Sequence, residues 1–247
     1  MSDPVRIFIG SSSNGEDAQI EIAYEHSIRE NCSRPVEITW MRQTTDRDSF
    51  WYCEATQRWS TPFSGYRWYI PEACDFKGRA IYTDCDMINF RDMAELIDTD
   101  LQGKPCAARR GNRFGGHEFC VMVFDCEAMR EHVLPVQRQK KITEAHHRMI
   151  AKFSGNSNLV ADLDPRWNCL DGEDYPLDQM YQLHFTRMNS QPWQPAWFTG
   201  QPEKHRRDDV VQTFYDWLQR ARDNGHDDNA LAKTLAKNKV KYNIIGQ

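Results

Sequence analysis

The sequence lacks the features that mark several common classes of protein. Its 8 cysteines include no C-x-x-C pair and no paired clusters, so neither a structural zinc site nor a disulfide framework is indicated. No apolar run approaches the ~18 residues that a membrane-spanning helix needs. The start of the sequence, residues 1–4, lacks the basic segment and the following apolar segment that mark a secretion signal. We therefore predict no standard secretion signal. These absences favour a cytoplasmic protein with reduced thiols.

Positive charge is also scarce. The 31 Lys and Arg are outnumbered by 36 Asp and Glu, which gives a net charge of -5. Because nucleic acid is attracted by a positive surface, it is not predicted as a partner. The 247 residues contain 40% hydrophobic and 12% aromatic side chains instead, which is enough to predict one globular unit with a substantial core.

The spacing of the apolar residues predicts an α/β sheet. Strands are predicted at residues 5–9, 36–40, 79–83 and 119–124, and helices at 20–28, 64–74, 135–152 and 210–221. The order strand, helix, strand at the start favours parallel pairing. The nearly continuous apolar run at 119–124 is typical of a central strand covered on both faces. Residues 175–200 are rich in Trp, Pro and Gln, which predicts an ordered loop around a pocket, and the polar tail beyond 224 is expected to fray.

Two aspartates one residue apart form the clearest candidate for chemistry. The sequence contains four such pairs, which are Asp46/Asp48, Asp84/Asp86, Asp98/Asp100 and Asp162/Asp164. Only Asp84/Asp86 follows an uninterrupted strand-like run, and ligands of open α/β sheets gather at the carboxyl ends of strands. Carboxylate oxygens suit Mg²⁺ or Mn²⁺, so this pair is predicted to hold a cation. The alternative is that both aspartates cap a turn or a helix.

The blocks around this pair resemble glycosyltransferase family 8. Residues 66–71 read YRWYIP, residues 77–86 read KGRAIYTDCD and residues 92–96 read DMAEL. The family patterns are Y-x-R-L-x-I-P, K-x-[IV]-[IL]-Y-L-D-x-D and D-[IL]-x-E-L, and they occur in the same order. Farther along, residues 163–168 are similar to the family's L-P-x-[RK]-[WY]-N, and residues 184–193 to its H-x-x-G-x-x-K-P-W.

The resemblance implies a fold and an activity. The fold is GT-A, a single Rossmann-like α/β domain with a mixed, mainly parallel central sheet and flanking helices. We assign residues 1–200 to this domain and residues 201–247 to a C-terminal helical extension packed on it. The implied enzyme is a hexosyltransferase that retains anomeric configuration. It takes a hexose from a nucleotide sugar, most simply a UDP-hexose, and passes it to a hydroxyl of a glycan or small-molecule acceptor.

The resemblance also implies the site. Asp84, Asp86 and His184 are expected to hold Mn²⁺ (or Mg²⁺) against the diphosphate, although a lone histidine is often structural. The expected nucleotide-sugar-binding residues lie at matched positions or in the loop after the first strand, and are Gly10, Ser11, Ser12, Arg67, Asp84, Cys85, Arg187, Gln191 and Trp193. Arg67 could instead pair with a nearby acid, and Trp193 could belong to the core.

Two departures from the family patterns affect the donor and sugar side. The family's Gly and Lys after the metal-binding histidine are Arg187 and Gln191 here, and Arg187 is the candidate to replace the missing lysine. Glu118 stands at the Asn position of the family's F-N-[AS]-G-V, which makes it the candidate catalytic carboxylate. Its alternative role is a partly buried acid satisfied by neighbours such as Arg113.

Two other functions remain open from the sequence. A sugar nucleotidyltransferase can share such a core, but its first loop carries basic residues and residues 10–15 have none. A non-catalytic saccharide or nucleotide binder would suit the aromatic loops, yet has no need of a cation site. The basic segment 135–152 and the Lys-rich tail could dock on a membrane surface as a peripheral association, or could simply be solvated.

Overall fold

A computed structural model describes residues 3–54, 59, 61–111, 115–193 and 200–241 of the chain. Its main sheet has six strands, β1 (Val5–Gly10), β2 (Val36–Met41), β3 (Arg79–Asp84), β5 (Cys106–Arg110), β6 (His117–Asp125) and β7 (Val160–Leu163). They lie in the order β2-β1-β3-β6-β5-β7. Three of the neighbouring pairs are parallel, and β6 runs antiparallel to both of its neighbours. The predicted mixed, mainly parallel α/β fold is confirmed.

A second sheet of three short strands lies beside the first. It consists of β4 (Met87–Asn89), β8 (Cys169–Leu170) and β9 (Gln182–His184), in the order β4-β9-β8. Residues 175–200 were predicted to form a loop, and β9 lies within them. A strand of three residues is too short to show alternation in the sequence, and its pairing depends on a partner far along the chain.

The helices cover the sheet. They are α1 (Ala18–Asn31), α2 (Ile70–Ala73), α3 (Met93–Ile97), α4 (Val136–Gln139), α5 (Ala145–Phe153), α6 (Asp208–Asp223) and α7 (Asp228–Leu235), with a 3-10 helix at Ser64–Tyr69 before α2. The basic segment 135–152, which was predicted as one helix, thus forms two helices, α4 and α5. The apolar faces of α1 and α6 pack together in a second core cluster that includes Ile20, Phe214 and Trp217. Among the described residues, no helix combines the length and the apolar character needed to cross a bilayer.

The polar tail is ordered where the structure describes it. Helix α7 packs against α1, and a Cβ on Gly15 would lie 2.7 Å from the backbone of Ala232. Beyond α7, Asn14 forms two hydrogen bonds of 2.8 Å with the backbone of Val240. Asn238 donates to the carbonyl of Ser13 at 2.7 Å. The expectation of fraying was therefore wrong for residues up to 240, because α7 packs on α1 and the residues after it are hydrogen-bonded to the loop after β1.

Candidate functional site

The strand pairing of the two sheets brings the predicted cation ligands together. Asp84 ends β3, the chain turns at Cys85, and Asp86 immediately precedes β4. In the second sheet Met87 pairs with His184, and the amide of Phe185 donates to the carbonyl of Asp86 at 2.9 Å. His184 Nε2 consequently lies 3.3 Å from Asp86 Oδ1. Two segments that are distant in sequence therefore share one site at the carboxyl end of β3.

The donor atoms at this point suit a divalent cation. Ligand atoms of Asp84, Cys120 and His184 all lie within 4.8 Å of one another. Asp86 Oδ1 is buried, and among the described residues it accepts no hydrogen bond. Such an oxygen needs a hydrogen-bond donor or a cation, and it lies 3.3 Å from Nε2 of His184. Oxygen and imidazole ligands in this arrangement fit Mn²⁺ or Mg²⁺.

His184 is oriented by an amide on its other side. Its Nδ1 lies 2.8 Å from Asn168 Oδ1. Since an amide oxygen only accepts, Nδ1 carries the proton and the lone pair of Nε2 faces Asp86. Burial of the ring disfavours its charged form, but the carboxylates of Asp86, Asp84 and Asp171 outweigh burial and raise the pKa of His184. The ring is 4% exposed, so a neighbouring negative charge controls its protonation more than water does.

Asp84 is held by an internal network. Its Oδ1 accepts a hydrogen bond from Tyr82, and lies 3.4 Å from Arg67 Nη2. Arg67 is itself buried, and also donates to the carbonyls of Ser64 and Phe119. Burial raises the pKa of Asp84, and Asp86 adds to this while Arg67 opposes it. Arg67 thus pairs with an acid in this structure, as in the alternative considered from the sequence.

The loop after β1 begins directly beside Asp84. Gly10 pairs with Asp84 across the parallel strands. A Cβ on Gly10 would lie 2.5 Å from the ring of Phe63 and 3.1 Å from Tyr82 Oη, so a side chain here would displace both rings. Ser11 and Ser12 follow and are buried. Ser11 Oγ donates to Glu21, so its hydroxyl is directed into the protein.

The residues after His184 differ in their surroundings. Gln191 Nε2 donates to the carbonyl of Phe185 at 2.9 Å and lies 3.4 Å from Asp86 Oδ2. Trp193 is 4% exposed, belongs to the second core cluster, and donates from Nε1 to Asp17 at 3.1 Å. Arg187 is exposed and forms no ion pair with the described part of the chain.

The side chain of Glu118 on β6 contacts Arg109 on β5 and Asn168. Its side chain is 19% exposed, lies 3.6 Å from Arg109 Nε, and accepts from Asn168 Nδ2 at 3.3 Å. The same Asn168 accepts from His184, so one amide connects the candidate catalytic carboxylate with the candidate cation ligand. Arg113, the neighbour suggested from the sequence, lies outside the described residues.

Four residues of the site had no role in the sequence analysis. Tyr82 and Asn168 lie inside matched motifs, and Tyr82 shares a strand face with Asp84, which is a local signal. Cys120 and Asp17 carry no such signal. Cys120 reaches the site through strand pairing, and Asp17 through its contact with Trp193.

Sequence comparison finds a limited match. No protein-family model matches the chain. Over 99 residues it is 38% identical to Protein CDI of Arabidopsis thaliana, and the matched segment covers 38% of this chain and 36% of that protein. The chain therefore corresponds to little more than a third of this relative.

Solved structures similar to this one are glycosyltransferases. WbbM, a bifunctional enzyme, has a TM-score of 0.60 at 14% identity, covering 88% of this chain and 50% of WbbM. GlyE of Streptococcus pneumoniae has 0.59 at 17%, covering 97% and 65%. The galactosyltransferase LgtC, solved with donor and acceptor sugar analogs, has 0.59 at 12%, covering 87% and 96%. This chain spans only part of WbbM and GlyE but nearly all of LgtC. At such identities the similarity concerns the fold, and the predicted GT-A glycosyltransferase fold is confirmed.

Proposed function

We propose that this chain is a metal-dependent glycosyltransferase that transfers a hexose from a UDP-sugar to an acceptor hydroxyl with retention of configuration. The observation that carries the proposal is the meeting of Asp84, Asp86 and His184 at the carboxyl end of β3, in a fold that glycosyltransferases use. A sugar diphosphate concentrates negative charge, and a chain with net charge -5 needs a cation to bind it.

In this proposal Asp86 and His184 hold the cation, and Asp84 lies between the cation and Arg67. A divalent cation, when bound, stabilises the negative charge that develops on the leaving UDP. Asn168 keeps Nε2 of His184 available as a ligand through its bond to Nδ1. Arg187, which is exposed and without an ion pair in the described part of the chain, supplies a further positive charge beside the diphosphate.

The nucleoside side of the site is formed by the loop after β1. The backbone of Gly10, Ser11 and Ser12 continues from β1 beside Asp84, where N-H and C=O groups can approach a base and a ribose closely. The side chain of Ser11 is bonded to Glu21, so we assign recognition to the backbone of the loop more than to this hydroxyl. Cys85 lies between the two aspartates and is buried, so we assign its part in donor binding to its backbone.

The donor experiment tests the proposal directly. UDP release from a panel of UDP-sugars is measured with Mn²⁺, with Mg²⁺ and with excess chelator. We expect turnover with at least one sugar in the presence of metal, and none with chelator. The same protein incubated with UTP and a sugar 1-phosphate should release no pyrophosphate, which separates it from a nucleotidyltransferase. Neither turnover nor binding with any UDP-sugar would contradict the proposal.

Glu118 is expected to act on the reacting sugar. Replacing Glu118 with Gln keeps the size of the side chain and its bond from Asn168, but removes the negative charge. We expect kcat to fall by about 10²-fold or more while KM for the donor changes little, because the charge is needed only as the glycosidic bond breaks. Steady-state kinetics with the active donor provide the measurement.

Glu173→Gln is the matched control for this variant. Glu173 also binds Arg109, through both of its carboxylate oxygens, whereas the side-chain amide of Asn168 donates to Glu118. It should therefore reproduce the loss of a charge beside Arg109 without the loss of turnover. Equal effects of the two substitutions on kcat would remove Glu118 from the reacting site.

A further inference from the structure

A cysteine thiol lies among the candidate cation ligands. Thr83 on β3 pairs with Val121 on the antiparallel strand β6. One step farther in the same register brings Cys120 opposite Asp84, the last residue of β3. The Sγ of Cys120 lies within 4.8 Å of ligand atoms of both Asp84 and His184. The register of the main sheet, and not a local motif, therefore places sulfur at the site.

The surroundings of Cys120 differ from those of structural cysteines in this chain. Cys106 and Cys169 are fully buried, and their thiols lie 3.4 Å from the backbone carbonyls of Leu159 and Arg166. Cys120 is only partly buried, and the groups nearest to it include a carboxylate and an imidazole. A thiol that meets Asp and His side chains has the neighbours of a metal ligand, whereas a thiol bonded to a carbonyl is a small core side chain.

We propose that Cys120 is a further ligand of the cation, and that the site prefers borderline cations such as Co²⁺ and Zn²⁺ over Mg²⁺. The proposal rests on the proposed function only in using the same cation site. On binding, the Sγ-H bond breaks, a bond from sulfur to the metal forms, and the proton leaves to solvent. A thiolate is a soft ligand that suits such metals, while Mg²⁺ prefers oxygen and water.

The charges around the site balance in this arrangement. The carboxylates of Asp84 and Asp86 and the thiolate of Cys120 contribute three negative charges. A divalent cation and Arg67 offset them. Arg67 is held beside the thiol because it donates to the carbonyl of Phe119, the residue before Cys120, and to Tyr82. A thiolate at Cys120 adds a negative charge beside this buried guanidinium, which favours the arrangement.

Cobalt spectroscopy tests the proposal without requiring activity. Metal-free protein is titrated with Co²⁺, whose visible ligand-field bands report binding and whose near-ultraviolet band reports a bond from thiolate to metal. Wild-type protein should give both. Cys120→Ser and Cys120→Ala should keep the visible bands and lose the ultraviolet band. Their affinities for Co²⁺ and Zn²⁺, measured by calorimetry, should fall at least about tenfold, with little change for Mg²⁺.

Cys32→Ser is the matched control, because Cys32 is a partly buried thiol at the end of α1 and should leave both bands unchanged. Two variants at Cys120 protect the test against one that fails to fold. Visible bands without the ultraviolet band in wild-type protein, or an ultraviolet band that survives both Cys120 substitutions, would overturn this proposal and leave the proposed function standing. Absence of any Co²⁺ binding would contradict the cation site itself, which the donor experiment tests separately.

Discussion

Replacing Asp86 with Asn is expected to lower metal-dependent UDP release by on the order of a thousandfold, because a cation contributes several kcal/mol of charge stabilisation in the transition state. Asp86 is the carboxylate in contact with His184, and its buried Oδ1 accepts no hydrogen bond from the described residues. Loss of its charge leaves the cation with weaker ligands. It also removes the largest favourable influence on the charged form of His184, so the pKa of His184 should fall.

The same substitution should leave the metal-free protein folded and at least as stable. A neutral amide removes the repulsion that raises the pKa of Asp84. We therefore expect an unchanged or higher Tm in chelator, together with loss of the increase in Tm that Mn²⁺ gives the wild-type protein. Low activity with a strongly reduced Tm would instead indicate a structural role for Asp86.

Asp100→Asn is the control for this experiment. Asp98 and Asp100 form another pair with the same spacing, but Asp100 is exposed and its carboxylate binds the amide of Gln102 in a turn. UDP release and the effect of Mn²⁺ on Tm should match those of the wild-type protein. An equal loss of activity in both variants would mean that the loss does not depend on the position of Asp86 at the candidate site.

The main sheet follows from local patterns more completely than the second sheet does. Each of β1, β2, β3 and β6 was predicted as a strand, because apolar residues follow one another, or alternate as in β2, over these segments of the sequence. The direction of β6 is not local information, and its antiparallel pairing with β3 was not predicted. That direction matters for function, since it brings Cys120 beside Asp84.

The candidate site also contains residues that a local sequence pattern identifies and residues that it does not. Asp84 and Asp86 were identified from their position after a predicted strand, and that strand is β3. His184 was connected to them only by resemblance to a family motif, because the pairing of Met87 with His184 joins strands too short to predict. Asp17 had no sequence signal at all. Its environment is formed by side chains that come from α1, from the turn after Asp84 and from the segment after β9.

Asp17 provides a prediction about stability and pH. Its carboxyl group is 7% exposed and accepts from Trp193 Nε1. Burial raises the pKa of Asp17 to about 7, with Glu21 and Asp86 adding to the shift and Ser12 and Trp193 opposing it. In the unfolded chain this group ionises near pH 3.8, so between these values the folded protein holds a proton that the unfolded chain has lost.

The sign of the effect follows from this proton. Because unfolding releases it, the free energy of unfolding should fall as pH rises from about 4 to about 7, by ~1.4 kcal/mol per pH unit and roughly 4 kcal/mol in total from this group. Asp17→Asn resembles the protonated acid and still accepts from Trp193. The variant should equal the wild-type protein near pH 4 and exceed it by several kcal/mol near pH 8.

Urea unfolding at a series of pH values, with chelator present, measures the difference between the two proteins. In the difference between the two free energies of unfolding, the titration of all other groups that behave alike in both proteins cancels. Asp208→Asn, at an exposed acid in the first turn of α6, is the control for the loss of a carboxylate away from this site, and should not reproduce the difference of several kcal/mol. A constant difference for Asp17→Asn as well would mean that Asp17 is ionised in the folded protein, and that the polar groups around it overcome its burial.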